Sequence, residues 1–155
     1  MLLNNGYGAK DKLLLIMTQE DKKHILNDLC DRLPYGVKVH AKYTDLGETI
    51  EVDGIVKMID DDGVVGIEVI CDTSSAWTYV QIDNIKPYLF PLSIMTEEQW
   101  KEYQTLKITD WVEGDINGVF INAGTITDWL NKNHFDYRGL IKMGLAIDST
   151  GLNIY

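Results

Sequence analysis

The sequence predicts an α+β fold: a small β-barrel or strongly bent antiparallel sheet, with an N-terminal helix and C-terminal helices packed on it. Three observations carry this. A capped helical pattern runs from Thr18 to Leu33, apolar residues alternate with polar ones from Val37 to Ile82, and helical spacing returns after Pro91. The 155 residues are 45% hydrophobic and 25% charged, the composition of a globular protein. A chain of this length buries roughly 70% of its unfolded surface. Disulfide miniproteins, collagen, coiled coils and disordered tails are excluded, and no stretch reaches the roughly 20 apolar residues of a membrane span.

Thr18 and Asp21 form an approximate capping box, and Ile25, Leu26, Leu29 and Leu33 follow at helical spacing until Pro34 and Gly36 end the element. Val37, Val39, Ala41 and Tyr43 then alternate with Lys38, His40 and Lys42, the period of a half-buried strand. In the next strand Ile50, Val52, Gly54, Val56 and Met58 share one face, and Glu51, Asp53 and Lys57 the other. Gly54 marks a bend or bulge, as at a barrel corner. Asp60-Asp61-Asp62-Gly63 closes a hairpin. Val65, Ile67, Val69 and Cys71 continue beyond it, and a fourth strand covers Trp77 to Ile82.

Short, strongly bent strands of this number suit a small SH3-like barrel, and Tyr79–Pro87 resembles the last strand of Tudor-like barrels. That resemblance implies a binding module. Thr96-Glu97-Glu98-Gln99 caps a further helix carrying Trp100, Tyr103, Leu106 and Lys107, and another holds Ile126, Trp129 and Leu130. Gly139, Gly144 and Gly151 make the tail a short helix or turn followed by extended chain. The expected organisation is an extension at 1–16 outside the core, a helix plus small barrel at 17–93, and a helical region at 94–155 packed on the barrel as one cooperative unit. The apolar run Leu13–Met17 is too short for a secretory signal, so the ordered domain is expected to begin at Met17.

Lys and Arg number 14 against 24 Asp and Glu, a formal charge of −10. Much of it is local: Asp45, Glu48, Glu51, Asp53, Asp60, Asp61, Asp62, Glu68, Asp72 and Asp83 surround a single base, Lys57. Direct nucleic-acid binding through this window is excluded, since phosphate contacts need Lys and Arg. The window is either a solubilising face or an acidic surface for a basic partner. Cys30 and Cys71 stand apart with no CxxC pair, so both are expected to be buried thiols in a reducing compartment.

No nucleophile elbow, phosphate loop, dinucleotide fingerprint or zinc-protease motif is present. No cofactor or metal site is therefore expected. Asp60, Asp61 and Asp62 read as a solvated hairpin tip rather than a calcium loop. His134-Phe135-Asp136-Tyr137-Arg138 is the most chemical-looking cluster. His134 and Asp136 form an acid–base pair beside an anion-holding Arg138, or Asp136 caps a turn while Phe135 packs inside. Trp77 and Tyr79 share the face opposite Thr78, Val80 and Ile82. They are either covered by the C-terminal helices, the more economical packing, or free as a partner patch.

Three segments, LCDRLPYGVKV at 29–39, NIKPYLFPLSIMTEEQ at 84–99 and WLNKNHFDYRGLIKMGLAID at 129–148, resemble a family of small uncharacterised proteins of gut Bacteroidales and their phages and prophages. The resemblance covers nearly the whole chain from Met17 onward, least in the acidic window at 44–83, and implies a protein of the bacterial cytoplasm or one encoded by a phage. The functional expectation is a non-enzymatic interaction or accessory protein of a phage or mobile element with a protein partner. It would act through some of Trp77, Tyr79, Asp60, Asp61, Asp62, His134, Asp136 and Arg138, with no membrane involved. An acidic nucleic-acid-mimicking inhibitor of a host defence protein, and a small enzyme using His134 and Asp136, are the alternatives.

Overall fold

Thr18 caps the first helix through both halves of the box. In the computed structural model, which describes residues 17–70, 74–112 and 119–155, Thr18 Oγ1 accepts from Asp21 N–H and the Asp21 carboxylate accepts from Thr18 N–H, each at 3.1 Å. The helix α1 (Gln19–Arg32) follows, with Ile25 and Leu29 fully buried. A 3₁₀ turn at Leu33–Tyr35 ends at Gly36, whose φ of +66° is the left-handed value expected after a helix. The expectations for residues 1–16, for Cys71 and for the side chain of Trp111 lie outside the described residues. Cys30 is exposed rather than buried, because it follows inward-facing Leu29 and turns to the outer side of α1.

Four strands then form an antiparallel meander: β1 (Lys38–Asp45), β2 (Glu48–Ile59), β3 (Val64–Ile70) and β4 (Ser75–Gln81). The expected alternation holds in β1, where Val39 and Ala41 are buried, and in β4, where Val80 is buried between exposed Tyr79 and Gln81. It breaks once. The β2–β3 register slips between Val56 and Met58, so Val56 opposes Ile67 inside while Met58 opposes Gly66 on the outer face. Met58 is therefore not on the face of Ile50, Val52 and Val56, since an extra residue reverses which side follows. Gly54 serves another purpose than a corner. A Cβ there would stand 2.4 Å from Ile67 Cγ2 and 2.5 Å from the Glu68 carbonyl oxygen, so the glycine permits a close approach of β2 and β3.

A 3₁₀ turn at Ile82–Asn84 leads to β5 (Ile85–Leu89), which pairs with β1 on the side away from β2. In a flat sheet β4 and β5 would be about four strand spacings, about 19 Å, apart. The chain from Gln81 to Ile85 reaches only about 14 Å, so the sheet must curl. Tyr43 Oη and Thr78 Oγ1, on β1 and β4, meet across the concave side at 3.2 Å. The curl does not close into the expected SH3-like barrel. The free side of β5 is taken by β6 (Ile147–Asp148), parallel to Tyr88 and Leu89, and the strand order is β4-β3-β2-β1-β5-β6. The result is an open, mostly antiparallel six-stranded sheet with helices at both ends of the sequence.

The core fills the concave side. Val39, Ala41, Val56, Val65, Ile67, Val80, Ile82, Ile85 and Leu89 pack with Ile25 and Leu29 of α1 and with Leu140, Leu145 and Ala146. Thr96 and Gln99 cap α2 (Glu97–Val112) reciprocally, and α3 (Val119–Lys132) follows. These helices reach the sheet's end through a column of rings. Tyr103 stacks on Trp129 at 6.1 Å, Trp129 on Phe135 at 5.7 Å, and Phe135 lies 6.5 Å from Phe90. They do not cover the outer aromatics: Trp77 is 51% exposed and Tyr79 60%. Among the described residues no helix is long and apolar enough to cross a membrane.

Candidate functional site

The convex face of the sheet is the first candidate, and the bulge in β2 builds it. By turning Met58 outward the bulge sets its side chain beside Gly66, and Tyr79 lies opposite Gly66 on β4. A Cβ on Gly66 would meet Met58 Cγ at 2.5 Å and Tyr79 Cε1 at 3.4 Å, so the bare glycine lets both side chains lie flat over the strand. Trp77 comes next along β4, opposite Glu68. Glu68 is engaged by Lys57 at 3.1 Å, so the charges flanking the aromatics neutralise one another. The patch that results is apolar and close to neutral.

Further along this face the acidic window is knitted to local bases. His40 Nδ1 lies 2.9 Å from Asp53 Oδ1, and Lys42 pairs with Glu51. Lys42 and the neighbouring His40 hold the Glu51 carboxyl below its usual range. Tyr88 Oη donates to Asp53 Oδ1 at 2.8 Å, and its phenol is pushed up to about 12 by burial and by that carboxylate. Asp60 is a turn former: Oδ1 accepts from Asp62 N–H at 3.0 Å and Val64 N–H at 2.8 Å. Asp61 and Asp62 are exposed beside it, on the rim of a shallow groove shared with Lys22 and Lys23. Among the described residues no group of three His, Cys, Asp or Glu converges as a metal site.

The second candidate surrounds His134. The structure separates the three charged residues of the 134–138 cluster. Both oxygens of Asp136 are occupied by backbone donors, Leu140 N–H and Ile141 N–H at 2.8 Å each, so it caps the following turn. Arg138 donates to Asp31 and to Tyr137 Oη and lies 3.6 Å from Asp28. His134 points elsewhere. Its ring stacks on Tyr155 at 3.8 Å, and its backbone takes a left-handed φ of +57°, held by Phe90 N–H donating to its carbonyl at 2.9 Å. Burial, with Arg32 and Lys38 nearby, lowers its pKa to about 4, so the imidazole is neutral at pH 7. A groove of about 460 Å³ opens beside it, lined by Phe90, Phe135, Tyr155, Gln99 and Lys132.

Beneath this groove lies an arrangement the sequence reading missed. Asp28 and Arg32 form a fully buried ion pair at 2.8 Å, and Arg32 Nη2 donates to the Phe135 carbonyl at 2.7 Å. Burial pushes the Asp28 carboxyl up against the pull of Arg32 and Arg138. Asp28 Oδ1, Arg32 Nη1, Asn131 Oδ1 and His134 Nδ1 are buried without a hydrogen-bond partner. The signal was available: Asp28 and Arg32 stand three and seven residues after Ile25, on its side of the helix.

With this geometry established, comparison with known proteins adds no assignment: no family model, no curated protein and no solved structure matches the chain. The candidate sites rest on their own chemistry.

Proposed function

We propose that this chain is a non-enzymatic interaction protein that docks a protein partner on the convex face around Met58, Trp77 and Tyr79. The observation that carries this reading is the exposure of Trp77 and Tyr79 side by side on one face of a strand whose opposite face buries Val80. Large aromatics are costly to leave in water, and in interfaces they supply much of the binding energy. The setting we propose, an accessory factor of a phage or mobile element in the bacterial cytoplasm, draws on the resemblance of the 29–39, 84–99 and 129–148 segments. The acidic mimic is the weaker reading, because Glu51, Asp53 and Glu68 are already engaged by bases of the same sheet. An enzyme built on His134 and Asp136 is weaker still, since Asp136 spends both oxygens on backbone donors.

The test is affinity purification of the full chain from a bacterial host followed by mass spectrometry, beside the Trp77→Ala/Tyr79→Ala variant. A partner recovered by the native chain and lost with the variant, at unchanged melting temperature, is the expected result. A partner retained by the variant would move the interface elsewhere. A complex that dissolves steeply with salt would favour the acidic surface instead.

A further inference from the structure

The outer edge of β4 combines features that folded proteins usually avoid. Terminal strands are normally blunted by charge, proline, a bulge or a cover. β4 reads Ser-Ala-Trp-Thr-Tyr-Val-Gln, seven residues without a charge, a proline or a glycine. Its register with β3 is regular from Val64↔Gln81 to Ile70↔Ser75, so no bulge turns it away. It is the terminal strand of the open sheet, and five of its seven residues are exposed. Among the described strands only β3 pairs with it, and its backbone donors and acceptors on the other side can be satisfied by another strand.

The charge around this edge also indicates which strand. A basic or acidic peptide has no counter-charge to meet, because Lys57 and Glu68, the charged pair beside the aromatics, neutralise each other. A neutral, β-forming segment is what fits. Among the described strands of this chain β4 is the only one longer than two residues that carries no charged side chain. We infer that β4 pairs antiparallel with β4 of a second copy about a two-fold axis at Thr78, joining two curled sheets into one. This register sets Trp77 opposite Tyr79 of the second copy, and Tyr79 opposite its Trp77. Two cross-strand aromatic pairs then lie side by side on the convex face. Ala76 faces Val80 of the second copy on the concave side, a small residue against a larger one. An isologous pairing of this kind closes after two copies, because each chain has then spent its β4 edge.

The pairing goes beyond docking of a partner and shares Trp77 and Tyr79 with it, but meets them from the strand edge rather than from the face. Edge pairing uses the backbone of β4 and the flanks of its aromatics, and their outer faces remain available for docking.

The experiment is sedimentation equilibrium on the full native chain and on two variants, Trp77→Lys/Tyr79→Lys and Trp77→Glu/Tyr79→Glu. The native chain is expected to dimerise below about 100 µM, and each variant alone to dissociate at least tenfold more readily, since like charges then face each other. Mixing the two variants should restore a 1:1 dimer, because in this pairing the lysines of one variant meet the glutamates of the other across the seam. Restoration also shows that both variants fold. Amide hydrogen exchange on the native chain is the independent arm, with protection of β4 rising with protein concentration. A monomeric native chain over the whole range, a dimer unaffected by the lysines, or concentration-independent exchange in β4 would each overturn the pairing. Loss of the docking partner from a charged variant that still forms the mixed dimer would separate the two surfaces.

Discussion

Arg32 Nη2 donates to the carbonyl of Phe135 at 2.7 Å, across 103 residues of sequence and entirely inside the protein. One guanidinium thus joins the end of α1 to the segment that continues the edge of β5, while Asp28 neutralises it from the preceding helical turn. An ionised group held so deep is expensive when either partner is removed.

Arg32→Ala is therefore expected to destabilise the fold by about 3–5 kcal/mol, because it takes from the buried Asp28 carboxylate its hydrogen-bonded partner and leaves only Arg138, 3.6 Å away. Asp28→Leu combined with Arg32→Met should recover part of that loss. Recovery stays incomplete because the Phe135 carbonyl loses the guanidinium and keeps only Tyr137 N–H, at 3.1 Å. Urea denaturation of the three proteins checks this. A single substitution costing under about 1 kcal/mol would show that water reaches the pair freely.

Trp77→Ala is expected to change stability by less than about 1 kcal/mol, the scale of a surface substitution. The reading in which C-terminal helices cover Trp77 demanded about 3–5 kcal/mol, as for a core aromatic. Thermal unfolding of the variant at low concentration, where association does not contribute, distinguishes the two.

Gly54→Val should cost at least about 1–3 kcal/mol, the range of overpacking, despite valine's strand propensity. The new Cβ would meet the Glu68 backbone at 2.5 Å, which cannot give way as a side chain can. Gly66→Ala is the contrast. Its Cβ meets Met58 Cγ, the middle of a flexible side chain, so a smaller loss is expected, accompanied by a shift of Met58. Equal losses at the two glycines would contradict the geometry.

His134 makes stability depend on pH with a definite sign. Its pKa is lowered from 6.5 to about 4 in the folded chain, so the unfolded chain takes up the proton first. The contribution of the neutral ring is complete above pH 6.5 and is lost as pH falls toward 4. His134→Asn retains a residue that tolerates the left-handed backbone and removes the titration. Urea midpoints measured at pH 7 and 4.5 should fall less in the variant than in the native chain. An unchanged difference between the two pH values would show that His134 does not carry the effect.

Local chemistry made much of the fold legible in the residues. The capping boxes at Thr18–Asp21 and Thr96–Gln99 formed as expected, since a cap is settled within one helical turn. The alternation of β1 and β4 told inward from outward residues, and the opposition of Trp77 and Tyr79 to Val80 followed from it. The exposed aromatic face was thus visible as a face. Whether anything covered it was not, because that depends on where α2 and α3 dock, through rings at 103, 129 and 135.

Tertiary structure alone decided the rest. The bulge after Val56 depends on how β2 meets β3, and it sent Met58 to the side opposite its sequence phase. Closure depended on a contest for the free edge of β5, which residues 147 and 148 occupy from some sixty positions away. Asp136 carried two readings in sequence, a turn cap and an acid–base partner of His134, until the backbone amides of Leu140 and Ile141 reached its two oxygens. Caps and strand phase are set by neighbours a few bonds away, which any stretch of sequence displays. Edges, bulges and the partner of a buried charge are set by which distant segment arrives there, and that is a property of the folded whole.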